Sequence, residues 1–137
     1  MDQKQPYQVL VIEDELSLEE AIKVKLTKAG LVPEIFDNGR LALETIGMRG
    51  KHFDGIWLDF DILEINGLEF MRRFTVMPGW QSCPVLIVSN TGNPDLINQA
   101  IQLGAKEWII KAEVRLVDAV KRFIELIDQA KARAAQA

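Results

Sequence analysis

The chain has 137 residues, enough for one ordinary core, and no Gly/Ser/Pro-rich linker or composition shift marks a second domain. Apolar residues at 48% and charged residues at 26% argue against a disordered chain and against a membrane protein. The 16 basic and 20 acidic residues leave a net charge of −4 without a basic stripe, which speaks against direct nucleic-acid binding. Lys121, Arg122, Lys131 and Arg133 read instead as a solvated face near a helix C-terminus. No signal peptide is expected, because the run Val9 to Ile12 is short and stops at Glu13; Cys83 has no partner for an internal disulfide, and a cytoplasmic location follows. Cys83 itself reads as a small buried filler.

Tyr7 to Ile12 is a β-rich run ending at Glu13-Asp14-Glu15, and Ser17-Leu18-Glu19-Glu20 has the pattern of a capping box opening a first helix. Leu18, Ala21, Ile22, Val24, Leu26 and Ala29 supply its apolar positions, and Gly30 a stop. Val32 to Phe36 predicts a second strand, and Asp37-Asn38-Gly39 caps a helix carrying Leu41, Ala42, Leu43 and Ile46 that ends at Gly47 or Gly50. Ile56, Trp57 and Leu58 are consecutive and apolar, the pattern of a strand buried on both faces, and this strand ends in Asp59. Gly67 opens a third helix with Leu68, Phe70, Met71 and Phe74; Pro78-Gly79 marks a turn, with Trp80 in an exposed loop. Pro84 to Ser89 is a fourth strand, ending in a hydroxyl. Asn93-Pro94-Asp95 starts a fourth helix whose apolar face is Leu96, Ile97, Ala100, Ile101 and Leu103, with Gly104 as its stop. Glu107 to Lys111 is a fifth strand ending in an ammonium, and Leu116, Val117, Val120, Phe123, Ile124 and Ile127 mark a last, long helix. Residues 1–128 form the predicted domain, and the Ala-rich residues 129–137 a fraying helix end or the start of a linker.

Five strands alternating with five helices, joined by crossovers long enough for right-handed βαβ units, predict an α/β fold with a doubly wound five-stranded parallel sheet. Parallel strands present the same ends, so Glu13, Asp14, Asp59, Ser89 and Lys111 converge on the carboxyl edge, where such sheets bind ligands. Carboxylates crowded together raise one another's pKa, a conflict that a divalent cation resolves; oxygen-only donors favour Mg²⁺. An aspartate beside Mg²⁺ can act as a nucleophile toward phosphorus, with Lys111 and Ser89 holding the transferred group's other oxygens. Taken singly, each of these residues is commonplace at a strand end; it is their joint placement that points to one chemistry. His52 reads as a solvated loop residue without a role, and Trp57, on the same strand parity as Asp59, as packing beneath the site.

These residues bring the chain to a known family. It resembles the receiver domain of two-component response regulators over nearly its whole length. The resemblance rests on Glu13-Asp14 after the first strand, Asp54 five residues before Asp59, Gly67 eight after it and Ser89 thirty after it. Gly104-Ala105-Lys106-Glu107-Trp108-Ile109-Ile110-Lys111 also looks like the family's Gly-Ala, aromatic, Lys signature. The resemblance implies a flavodoxin-like (βα)5 receiver fold in which Asp59 accepts a phosphoryl group from a histidine kinase or histidine phosphotransfer protein. It implies Mg²⁺ held by Glu13 or Asp14, Asp59 and the backbone carbonyl of Asp61, phosphoryl contacts from Ser89 and Lys111, and Trp108 at the aromatic switch position. The implied output is a change in the surface of the fourth helix, fifth strand and fifth helix, read by a downstream effector, with a homodimer through that face as one option. The implied chain is no classical enzyme, since it catalyses only its own phosphorylation and dephosphorylation.

The chain also departs from the family pattern. Ile62-Leu63 stands where Met-Pro is usual and Lys111-Ala112 where Lys-Pro is usual, which predicts a trans Lys111-Ala112 peptide. Trp108 replaces Tyr or Phe, and Asn90 replaces a small residue, where it is expected to narrow access to the phosphoryl group. Three other readings stand beside the receiver. Asp59-Phe60-Asp61 looks like the Asp-x-Asp of haloacid-dehalogenase-type phosphatases, although the chain order of the acids opposes it. A flavin carrier would need a phosphate cradle where Glu13-Asp14-Glu15 lies. A degenerate receiver would act only as a docking module.

Overall fold

The computed structural model describes residues 5–62 and 64–136. The sequence reading of the first four residues, of Leu63 and of Ala137 therefore falls outside the described residues. The elements run β1 (Gln8–Ile12), α1 (Leu16–Lys28), β2 (Val32–Phe36), α2 (Gly39–Ile46), β3 (Gly55–Asp59), α3 (Gly67–Thr75), β4 (Val85–Ser89), α4 (Pro94–Gln102), β5 (Glu107–Ile110) and α5 (Leu116–Gln136). The five strands form one sheet in the order β2-β1-β3-β4-β5, every pair parallel. The expected doubly wound sheet is therefore the observed one.

Side chains alternate across a strand, so each central strand feeds two cores. Leu10, Ile12, Ile56, Leu58, Val85 and Ile87 point to one face, where α2, α3 and α4 cover them through Ala42, Ile46, Phe70, Met71, Phe74 and Ala100. Val9, Val11, Trp57, Leu86, Val88 and Ile109 point to the other, under Ile22 and Leu26 of α1 and Ala119, Phe123 and Ile127 of α5. Every residue of β3 and β4 is buried, as their unbroken apolar runs require. Pro33 is confined to β2, an edge strand, where a missing N–H is tolerated.

Four local expectations change. No capping box forms at Ser17, because α1 already begins at Leu16 with Glu15 as its N-cap and no side-chain cap bond; Ser17 Oγ donates to Glu15 Oε1 at 3.4 Å instead. Of the apolar positions expected on α1, only Ile22 and Leu26 are buried, because a flanking helix needs only a narrow i, i+4 stripe. On α4 only Ala100 is buried, and Ile101 is exposed. Trp80 is not in an exposed loop: it is half-buried between Phe53 and Phe74, at ring-centroid distances of 6.2 and 6.1 Å. The caps at Asn38, Asn66 and Asn93 each accept a backbone N–H of the first helical turn, and Gly104 follows α4 with φ at 109°. Cys83 is partly buried and packs against the α2–α4 side core, where burial pushes its thiol up to about 12.

At the amino edge of the sheet Asp54 gathers three donors: the Gln8 N–H at 2.8 Å, the His52 ring Nε2 at 2.8 Å and Lys131 Nζ at 2.5 Å. Burial works to raise its pKa, but these donors prevail and hold it below the usual carboxylate value. Lys131 ties the last turns of α5 to β1 and β3 in this way, and Ala130 beside it is buried; the chain stays helical to Gln136. His52 is exposed as expected, yet it belongs to this knot.

Gly67 opens α3 directly behind the loop that follows β3. A Cβ there would lie 2.6 Å from Phe60 Cδ1 and 3.1 Å from its Cα, so backbone would have to move. Gly67→Ala is expected to cost about 1–3 kcal/mol, read from the urea midpoint. A variant as stable as the parent would show that Phe60 is free to yield.

Candidate functional site

The register of the sheet assembles the site. Ile12 pairs with Leu58, so Glu13 follows at the level of Asp59. Asp59 pairs with Val88 and Ser89 with Ile110, which places Lys111 next in line across the same edge. Backbone bonds lock the strand exits: Phe60 N–H donates to Val88 O at 2.9 Å, and Lys111 N–H to Ser89 O at 2.8 Å. Glu13, Asp59 and Ser89 are buried; Asp14 is half-buried and Asp61 exposed. One carboxylate oxygen each from Glu13, Asp14 and Asp59 can be chosen so that all lie within 4.8 Å of one another. Lys111 Nζ stands 3.3 Å from Asp59 Oδ1 and 3.5 Å from Glu13 Oε1.

The electrostatics of this cluster are out of balance. Burial, then repulsion by Asp59, push the Glu13 carboxyl up to about 7, against the pull of Lys111. Glu13 Oε2 accepts the Glu15 N–H at 3.2 Å, but Oε1 is buried and accepts no hydrogen bond, its 3.5 Å approach to the ammonium being an ion pair only. Burial works to lower the Lys111 pKa, but the charges of Asp59 and Glu13 more than offset it and raise the value. A buried acid oxygen that accepts no hydrogen bond, next to two further carboxylates, is a donor set suited to a divalent cation.

Around the acids lie contacts that sequence alone left open. Asp59 Oδ1 accepts the Asp61 N–H at 3.1 Å, while the Asp61 carboxylate turns toward β4. There its Oδ2 lies 3.4 Å from the Ser89 hydroxyl and 3.3 Å from the Asn90 N–H. Ser89 Oγ in turn accepts the Thr91 N–H at 3.2 Å. Trp108 Nε1 donates to Thr91 O at 2.9 Å, and its ring packs on Phe60 with centroids 4.8 Å apart. Phe60 and Thr91 as the seat of Trp108 were not foreseen; the strand parity that carries Trp108 to the α2–α4 face is the signal that could have found Phe60. Trp57 packs edge-on against Phe123 on the opposite face, below the site as expected. There is no cis peptide bond among the described residues, so Lys111-Ala112 is trans as its sequence predicts.

An open parallel sheet that gathers three acids, a hydroxyl and a lysine at its carboxyl edge defines the class: a CheY-like receiver fold with a candidate phosphoryl-transfer site. Residues 9–121 match the response regulator receiver domain family, and the chain belongs to that family, a module of two-component signal transduction. It is 28% identical over 103 residues to the transcriptional regulatory protein CusR of Escherichia coli K12, a match covering 75% of this chain and 44% of that protein. Against the chemotaxis protein CheY of Treponema pallidum it is 26% identical over 107 residues, covering 77% of this chain and 73% of that one. The chain thus spans less than half the length of the transcriptional regulators it matches. Among solved structures, a CheY-like receiver domain from Methanospirillum hungatei JF-1 superposes with a TM-score of 0.82 at 18% identity, covering 94% of this chain and 99% of that one. The receiver domain of sensor histidine kinase PA1611 from Pseudomonas aeruginosa PAO1, solved with a magnesium ion in its active-site cleft, does so with 0.78 at 14%, covering 90% and 99%. Family membership decides against the phosphatase and flavin-carrier readings. Among the described residues no helix is long and apolar enough to cross a membrane.

The strain at Glu13 has a measurable sign. Its folded pKa near 7 lies above the ordinary 4.5, so the cost of the charged form is absent below about pH 4.5, grows between the two values and is complete above about 7. In chelator at about pH 8, Glu13→Gln is expected to stabilise the fold by about 1–3 kcal/mol in urea unfolding, a gain that shrinks as the pH is lowered toward 5. Destabilisation at pH 8 would mean that the carboxylate is fully neutralised by Lys111.

Proposed function

We propose that Asp59 accepts a phosphoryl group from a phosphohistidine donor in a Mg²⁺-dependent reaction, and that the chain works as a receiver in a phosphorelay. The single observation that carries this reading is the buried Glu13 Oε1, which accepts no hydrogen bond, beside Asp14 and Asp59, with Lys111 as the only ammonium in reach among the described residues. Glu13, Asp14, Asp59 and the backbone carbonyl of Asp61 would hold Mg²⁺, which supplies positive charge to the phosphoryl oxygens. An Asp59 carboxylate oxygen attacks phosphorus in line; the P–O bond forms as the P–N bond breaks, and the electron pair returns to the donor imidazole. Lys111, already at 3.3 Å from Asp59, shifts its ammonium onto a phosphoryl oxygen as a point charge, and the Ser89 hydroxyl donates to another.

The output would run through Ser89 to Thr91, whose carbonyl holds the Trp108 indole. Drawing Ser89 toward a phosphoryl oxygen moves Thr91, loosens Trp108 from Phe60 and biases the face of α4, β5 and α5 between two states. A histidine kinase or phosphotransfer protein upstream and an effector downstream are the partners of this reading, in the cytoplasm, with self-association through that face as one form of output. Asn90, exposed at the mouth of the site, would lengthen the phosphoryl lifetime by narrowing access.

Intact-mass measurement after treatment with acetyl phosphate and Mg²⁺ should show one phosphoryl adduct, absent from Asp59→Asn and from samples in chelator. An adduct that persists in either would refute the assignment, and no adduct in the parent would favour a docking module that is never phosphorylated.

A further inference from the structure

The receiver reading uses the Asp61 backbone and leaves its carboxylate without a task. That carboxylate does not join the acid triad, which comprises Glu13, Asp14 and Asp59 among the described residues. It points the other way and rests on two donors at the end of β4: the Ser89 hydroxyl at 3.4 Å and the Asn90 N–H at 3.3 Å. Ser89 is buried, and its oxygen already accepts the Thr91 N–H, so its one proton is directed at Asp61. The hydroxyl that would serve a phosphoryl oxygen is therefore already spoken for by an anion belonging to the chain itself.

Resting on the phosphoacceptor reading above, we propose that the Asp61 carboxylate is a tethered occupant of the phosphoryl-oxygen site, one that must swing into solvent before a phosphoryl group on Asp59 can engage Ser89 and Asn90. The two distances are those of a loose hold, and Asp61 is exposed, so withdrawal requires no unpacking of the core. Its backbone stays in place, since the Asp61 N–H is bonded to Asp59 Oδ1. The carboxylate thus keeps Ser89 satisfied in the resting state and sets a threshold against weakly held anions. Asp61 is in this sense a selectivity-determining residue for whatever brings the phosphoryl group.

Two measurements separate this proposal from the reading it rests on. The first is an NMR titration of the parent, Asp61→Ala and Asp61→Asn with inorganic phosphate in Mg²⁺, following the amides of Ser89, Asn90 and Thr91. Before phosphate is added, Asp61→Ala should already move the Asn90 amide proton upfield, the mark of a lost hydrogen bond that a general change of charge does not produce. Phosphate should then bind Asp61→Ala about tenfold more tightly than the parent, with Asp61→Asn between them. The second is the rate of adduct formation with acetyl phosphate, in which Asp59 oxygen bonds to phosphorus and acetate leaves; this too should rise in Asp61→Ala. An unmoved Asn90 amide, or phosphate affinity unchanged or weaker in Asp61→Ala, overturns the proposal even where Asp59 is phosphorylated. Tighter phosphate binding with no adduct on Asp59 in any variant upholds Asp61 as the occupant and overturns the phosphoacceptor reading instead.

Discussion

One ammonium, that of Lys111, stands 3.3 Å from Asp59 and 3.5 Å from Glu13, two carboxylates that the fold itself has buried, and a third, Asp14, lies beside them. Burial, and then repulsion by Asp59, push the Glu13 carboxyl up to about 7, against the pull of that single positive charge. The rest of the structure can be traced from this constraint. The acids lie at strand ends, where solvent and ions can reach them. Asp61, the fourth acid, lies outside the cluster and accepts from the Ser89 hydroxyl of β4.

Strand alternation distributes the consequences. Residues that face α1 and α5 form the floor beneath the site, with Trp57 set edge-on against Phe123. Residues that face α2, α3 and α4 lead from the site to the surface: Phe60, next after Asp59, carries the Trp108 ring, and the Trp108 indole is held by the loop that follows Ser89. The α4 side of this path is lightly packed, with Ala100 as its one buried residue. At the far edge of the sheet, Asp54 and Lys131 tie the end of α5 to the strands.

Much of this was legible because burial on both faces leaves little freedom. Consecutive apolar residues such as Ile56-Trp57-Leu58 and Val85-Leu86-Ile87-Val88 admit central parallel strands, and the polar residue that ends each run then falls on one edge. Caps at Asn38 and Asn93 were readable because short polar side chains there complete a helix's first turn. What escaped was tertiary. The Ser17 pattern lost to a helix that begins at Leu16 with Glu15 at its cap, Trp80 was drawn into the gap between Phe53 and Phe74, and Val24 of α1 and Ile101 of α4 stayed exposed. The direction of the Asp61 carboxylate was equally hidden, since its partners Ser89 and Asn90 are distant in sequence.

Completion of the acid cluster by a divalent cation is the central requirement of the proposed phosphoryl transfer. Calorimetric titration with Mg²⁺ at neutral pH tests this most directly, comparing the parent with Glu13→Gln, Asp14→Asn and Lys111→Met. One Mg²⁺ per chain is expected, weakened by either acid substitution and tightened in Lys111→Met, where the competing ammonium is gone. Absence of binding in the parent, or binding indifferent to all three substitutions, would contradict it.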